Sequence, residues 1–205
     1  MAEKPILFNT EMVRAILEGR KTQTRRLVKP RLTKNEAGWR VCKSADGRAY
    51  AIETFDDEEF FQGYVVPPVQ RGDVLWVRET WRRHTAVTFG GGMICRYLYR
   101  ADEPRDTTDR TKEEDRWHPS IHMPRDAARL FLKVTDVRIE RVQDMSAEDC
   151  ANDGGFEPEA IKTVGIAPLF GTLWDSTVRK DDLKRYGWAA NPWVWVYEFE
   201  RGEKP

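Results

Sequence analysis

Residues 10–31 read TEMVRAILEGRKTQTRRLVKPR, and the reading of this stretch decides the reading of the 205-residue chain. Thr10 opens a helix, because its hydroxyl can accept a hydrogen bond from an early backbone N–H while Met12, Val13, Ile16 and Leu17 line one apolar face. Gly19 stops it. Beyond lie Arg20, Lys21, Arg25, Arg26, Lys29 and Arg31, with no carboxylate between Arg20 and Arg31. A solvated charged face accounts for such a run. Thr22 and Thr24 add hydroxyls beside fixed positive charge, a pairing suited to phosphates or oxyanions. Crowding by Arg20, Arg25 and Arg26 predicts a lowered pKa for Lys21, the state a lysine general base needs.

Outward from this stretch, composition sets bounds. The length suits one domain with insertions, and 34 basic residues balance 34 acidic ones, so any nucleic-acid contact must come from a local patch. Cys42, Cys95 and Cys150 lie too far apart for a disulfide framework or a C-x-x-C metal site, and are expected to be reduced thiols. The N-terminus has no apolar signal segment and no stretch approaches the roughly 20 apolar residues of a membrane helix, so the expectation is a cytoplasmic protein without a membrane partner.

Pro5–Phe8 reads as a first strand delivering the chain to an Asn9–Thr10 cap. Residues 32–70 read as an inserted hairpin and loop, with a tight turn at Asp46–Gly47 and an acidic run, Glu53 and Asp56–Glu59, best taken as a solvated face. Arg71-Gly72-Asp73 turns into the strand Val74–Trp81, where Glu79 is a candidate acid that could instead pair with Arg78 or Arg82. Gly90-Gly91-Gly92 lacks the strand-to-helix setting of a phosphate loop. His118 and His122 have metal-like spacing, but Pro119 and Pro124 argue against a helix, so no metal is expected there. Leu130–Val142 gives the clearest strand alternation in the chain. Ser146 with Asp149 forms a capping-box pattern for a short helix closed by Gly154–Gly155, and Asp153 stands at its C-terminal end. Phe170, Leu173 and Trp174 pack a second helical stretch, and Asn191–Phe199 reads as a strand buried on both faces.

Gly19-Arg20-Lys21-Thr22-Gln23-Thr24-Arg25-Arg26 resembles the G-x-K-x-x-E-x-R signature of ASCH domains, small β-barrels related to the PUA RNA-binding fold, with Thr24 where the signature has Glu. In that variant form it is similar to the bacterial branch associated with amidohydrolase activity on N4-acetylcytidine, in which a lysine, a threonine and a later acid are the proposed catalytic set. Gly72–Trp81 and Trp117–Arg125 are similar to the longer ASCH proteins of phages and prophages. The resemblance implies an α+β fold, a PUA-like small mixed β-barrel with short flanking helices, spanning 1–205 as one domain with insertions at about 32–70 and 158–190.

From these residues the expected activity is hydrolysis of an amide on a modified nucleoside such as an N4-acylated cytidine, without cofactor or metal. Thr24 is the nucleophile, Lys21 its base, Asp153 or Glu79 the acid, and Arg25 or Arg26 the oxyanion partner. The alternative is a non-catalytic RNA-binding module: Arg20, Lys21, Arg25 and Arg26 hold phosphates, Trp76 and Trp81 stack on bases, and Ser120, His122 and Arg125 line a pocket wall. Single-strand ribonuclease chemistry uses the same lysine and hydroxyls. The expected state is a monomer or weak homodimer.

Overall fold

A computed structural model of the chain describes residues 1–28, 39–43, 50–55, 61–87, 92–104 and 116–205. In chain order the elements are β1 (Glu3–Leu7), α1 (Thr10–Leu17), β2 (Gln23–Leu27), β3 (Trp39–Lys43), β4 (Tyr50–Phe55), β5 (Phe61–Val65), β6 (Val74–Arg78), β7 (Trp81–Val87) and β8 (Met93–Tyr99). They continue with β9 (Phe131–Arg141), α2 (Ala147–Gly154), α3 (Pro158–Val164), a π-helical turn at Ala167–Gly171, α4 (Thr172–Thr177), α5 (Leu183–Tyr186) and β10 (Trp193–Gly202). Hydrogen bonding orders the largest sheet β1-β6-β9-β10-β2; β3-β4-β5 and β7-β8 form smaller sheets. The fold is α+β, and no sheet closes into a barrel among the described residues. The expected turn tip Asp46–Gly47, the acids Asp56–Glu59, and Gly90 and Gly91 lie outside the described residues.

The chain divides into two compact units. The first holds residues 1–19, 74–132 and 201–205. There β1 pairs in parallel with β6, Glu3 opposite Val74 and Leu7 opposite Arg78. Asn9, not Thr10, caps α1: extended at φ −76°, it accepts from the Met12 N–H at 2.8 Å. The helix buries Val13, Ala15 and Ile16, and Gly19 leaves it at φ +76°, where a side chain would be strained. β7 and β8 make a hairpin with Trp81 opposite Tyr99 and Val87 opposite Met93. Two short 3₁₀ turns, Ser120–His122 and Arg125–Ala127, stand where Pro119 and Pro124 forbid a regular helix.

The second unit holds residues 20–73 and 133–200. β2 runs antiparallel to β10, Gln23 opposite Glu198 and Leu27 opposite Val194, and β3, β4 and β5 form an antiparallel meander within the expected insertion. β10 is buried on both faces along Val194–Tyr197, as its unbroken apolar and aromatic run predicts. One face meets Val142, Cys150, Ile161, Phe170 and Trp174, with Leu173 at the margin, so the helices after β9 cover the sheet. α2 starts with the full capping box, Ser146 and Asp149 each bonding the other's backbone, and ends at Gly155 in the left-handed region.

Candidate active site

The motif divides where the chain leaves its turn and becomes β2. Alternation along a strand sends Gln23 and Arg25 to one face and Thr24 and Arg26 to the other. Lys21, just ahead of the strand, has no exposed side-chain surface. Its Nζ donates to Asp153 Oδ1 at 2.6 Å, to the Asp153 carbonyl, and to the Gln23 carbonyl at 2.9 Å. Asp153 thus becomes the acid beside Lys21. Its position near the C-terminal end of α2 is unfavourable to a carboxylate by the helix dipole, and two buried cations offset that.

The second cation is Arg25, also without exposed side-chain surface. It donates to Asp153 Oδ2 at 3.1 Å and to Glu140 Oε1 at 3.0 Å, with Asp149 Oδ1 at 3.6 Å. Arg138 extends the network to Glu140, Asp149 and Glu198. Gln23 Nε2 donates to Asp149 Oδ1 at 2.8 Å. Arg20 donates to the Gly155 carbonyl.

Burial pulls the Lys21 pKa down, Asp153 opposes the shift, and Arg26 and Arg25 add to it. The sequence attributes the lowering to neighbouring arginines, whereas desolvation is the larger cause. Burial also weakens the hold of Arg26 on its proton, against the pull of Asp153 and Tyr197. For Asp149, burial works upward, but bonds from Gln23 and Ser146 and the Arg25 charge prevail and hold the carboxyl at about 2.

A cleft of about 420 Å³ opens beside this network. Thr22, Asn152 and Phe199 help to line it, and Gln23, Asp149 and Glu198 belong both to its wall and to the network. Thr24 is not on that wall; it is only 4 % exposed. The sequence lets Lys21 and Thr24 meet if the chain keeps turning after Gly19; β2 is already extended at Gln23, so that condition is not met.

The remaining candidates lie in the first unit. Glu79 is 1 % exposed and takes a two-point contact from Arg129, Nε to Oε1 at 2.9 Å and Nη2 to Oε2 at 3.1 Å, in place of the expected Arg78 or Arg82. Arg129 also binds both oxygens of Asp102 and covers the Tyr99 ring at 3.9 Å. Trp76 carries the Arg78 guanidinium at 5.5 Å, and Trp81 packs between Tyr97 at 5.6 Å and His118 at 5.0 Å. Arg125 pairs with Glu3 at 2.7 Å, while Ser120 is half-buried and His122 exposed in their 3₁₀ turn.

Sequence reading missed Arg138, Glu140, Asp149 and Glu198 as site residues. Arg138 and Glu140 lie two apart and share a strand face, which reads as an ordinary wet face until α2 covers it. Asp149 is legible as a capping residue, which hides its second role.

Among the described residues no group of His, Cys, Asp or Glu could hold a metal ion, and no helix is long and apolar enough to cross a membrane. Comparison of the chain with protein-family models, curated proteins and solved structures found no match.

Proposed function

We propose that this protein is a hydrolase acting on an amide of a modified nucleoside, of the kind an N4-acylated cytidine presents. One observation carries the reading: Lys21 is dry, its proton is loosened by burial, and Asp153 fixes its Nζ at 2.6 Å. A lysine base needs those conditions, because only its neutral form can accept a proton. Asp153 orients the amine and a motif threonine attacks, Thr24 as the resemblance implies or Thr22 on the cleft wall, and the ASCH kinship with its PUA-like barrel belongs to the same proposal. RNA binding by the motif is less well supported, since Lys21 and Arg25 face buried carboxylates and a phosphate would have to displace them.

The test is turnover of a panel of acylated cytidines, followed by product mass, for wild type, Lys21→Ala, Thr24→Ala and Thr22→Ala. Activity lost in the first two variants and kept in the third supports the assignment. Loss in Thr22→Ala with retention in Thr24→Ala moves the nucleophile to the cleft wall. Activity retained in Lys21→Ala removes the mechanism. Salt-sensitive binding of short RNAs without turnover would favour the binding module.

A further inference from the structure

The cleft is walled by residues that adjoin the Lys21–Asp153 pair in the chain: Thr22 and Gln23 follow Lys21, and Asn152 precedes Asp153. Its volume of about 420 Å³ falls in the range of roughly 300–1,000 Å³ that small-molecule pockets occupy, which suits one compact ligand. Thr22, Thr135 and Asn152 line it, and their side chains make no hydrogen bond among the described residues. Two hydroxyls and an amide are thus left for a ligand. Each can donate and accept, as the hydroxyls of a sugar and the polar edge of a base require.

Charge on the wall has one sign. Its lining includes Glu148, Asp149 and Glu198 but no lysine, arginine or histidine. Arg138, which is not part of the wall, pairs with Asp149 and Glu198, so those two charges are matched. Lys133, on the same side of β9 as Thr135, faces Glu200 at 3.5 Å. Glu148 stands exposed in the first turn of α2, and no hydrogen bond or ion pair engages it among the described residues. The start of a helix ordinarily draws anions. In α2 the capping box already takes the Ser146 and Asp149 N–H groups, which donate to Asp149 Oδ2 and Ser146 Oγ at 3.0 Å. A phosphate entering the cleft would therefore meet an unmatched carboxylate and no cation on the wall.

Resting on the amide-hydrolase reading, we propose that this cleft seats the substrate as a free nucleoside, and that Glu148 turns away the phosphorylated forms, nucleotide and RNA, that carry the same base. The discrimination is electrostatic. Like unit charges about 4 Å apart in water weaken binding about fivefold, and a phosphate monoester near neutral pH carries more than one charge, so a gap of about tenfold is expected at low salt. Salt screens an exposed carboxylate, so the gap narrows as ionic strength rises. Glu148 is a specificity residue in this scheme and takes no part in breaking the amide bond.

The experiment measures KM for an N4-acylated cytidine and for its 5′-monophosphate, at low and at physiological ionic strength, with wild type, Glu148→Gln and Glu148→Lys. The ratio of the two KM values within one protein divides out any general loss of stability. In wild type at low salt the monophosphate should have the higher KM by about tenfold. That ratio should shrink with added salt, be smaller in Glu148→Gln, and vanish or reverse in Glu148→Lys. A monophosphate KM equal to or below that of the nucleoside in wild type, or a ratio of the same size in all three proteins, would overturn the role of Glu148 and leave the hydrolase reading standing. A wild type that turns over neither form would remove the hydrolase reading and this role with it.

Discussion

Replacing Asp153 with Asn keeps the size of the side chain and removes the charge that faces Lys21 at 2.6 Å and Arg25 at 3.1 Å. Breaking a buried ion pair from one side costs about 3–5 kcal/mol. Arg25 retains Glu140 and has Asp149 nearby, so Lys21, left with carbonyl acceptors, carries most of that cost. Lysine has a way out, because it can release its proton. Its pKa is already lowered by burial with Asp153 as the leading opposition, and without that charge it falls further. The folded state then binds fewer protons than the unfolded chain, whose lysine titrates near about 10.4, so stability rises with pH between the two values. Lys21→Met removes the buried cation and leaves Asp153 its contact with Arg25, for a change within about 1–2 kcal/mol. Urea unfolding followed by tryptophan fluorescence at pH 6, 7.5 and 9 measures all three proteins. Asp153→Asn should show its largest deficit at pH 6 and a smaller one at pH 9. A deficit that does not vary with pH, or a Lys21→Met variant as unstable as Asp153→Asn, would refute this account of the pair.

In the first unit, Arg129→Met strands the Glu79 carboxylate. Burial already raises its pKa against the pull of Arg129, so the variant should melt several degrees lower at pH 7 than wild type and recover at pH 5, as Glu79 protonates; equal deficits at both pH values would count against it. Asp149, held at about 2, contributes stability that is present above the unfolded carboxylate range and lost as pH falls towards 2. Asp149→Asn should therefore cost about 1–2 kcal/mol at pH 7, after allowance for solvent screening, and much less at pH 2.5, as read from denaturant midpoints. Thiol labelling at pH 8 should modify exposed Cys95 quickly and leave Cys150 untouched until denaturant is added, because Cys150 is buried and burial pushes its thiol up to about 11; rapid labelling of Cys150 in the native protein would contradict that packing.

Local physics made the elements legible. The apolar face of α1, the Ser146–Asp149 box and the continuous run of β10 each declare themselves within ten residues or so, because their causes act at that range. The Asn9 cap is a one-residue difference of the kind that competing cap residues produce. The site was legible by half. The sequence sets either Asp153 or Glu79 beside Lys21, and in the structure the neighbour is Asp153. Their further partners were not legible, since Glu140 and Glu198 are ordinary carboxylates until β9 and β10 bring them to Arg25 and Arg138. Glu79 reads as a candidate acid with Arg78 or Arg82 to pair with, and Arg129, fifty residues on, is the partner that explains its burial.

The pairing of β2 with β10 also fixes when the motif can assume its shape. Leu27 waits for Val194, about 170 residues further along, and at ribosomal rates of about 5–20 residues per second that is roughly 10–30 s of synthesis. Through that interval the emerging chain carries the cations of the motif without Glu198, and for most of it without Glu140, Asp149 or Asp153, the carboxylates that join the network in the finished unit. The motif is thus a run of cations well before β10 exists to pair with β2, and its charge can be neutralised within the unit only after those carboxylates have been made.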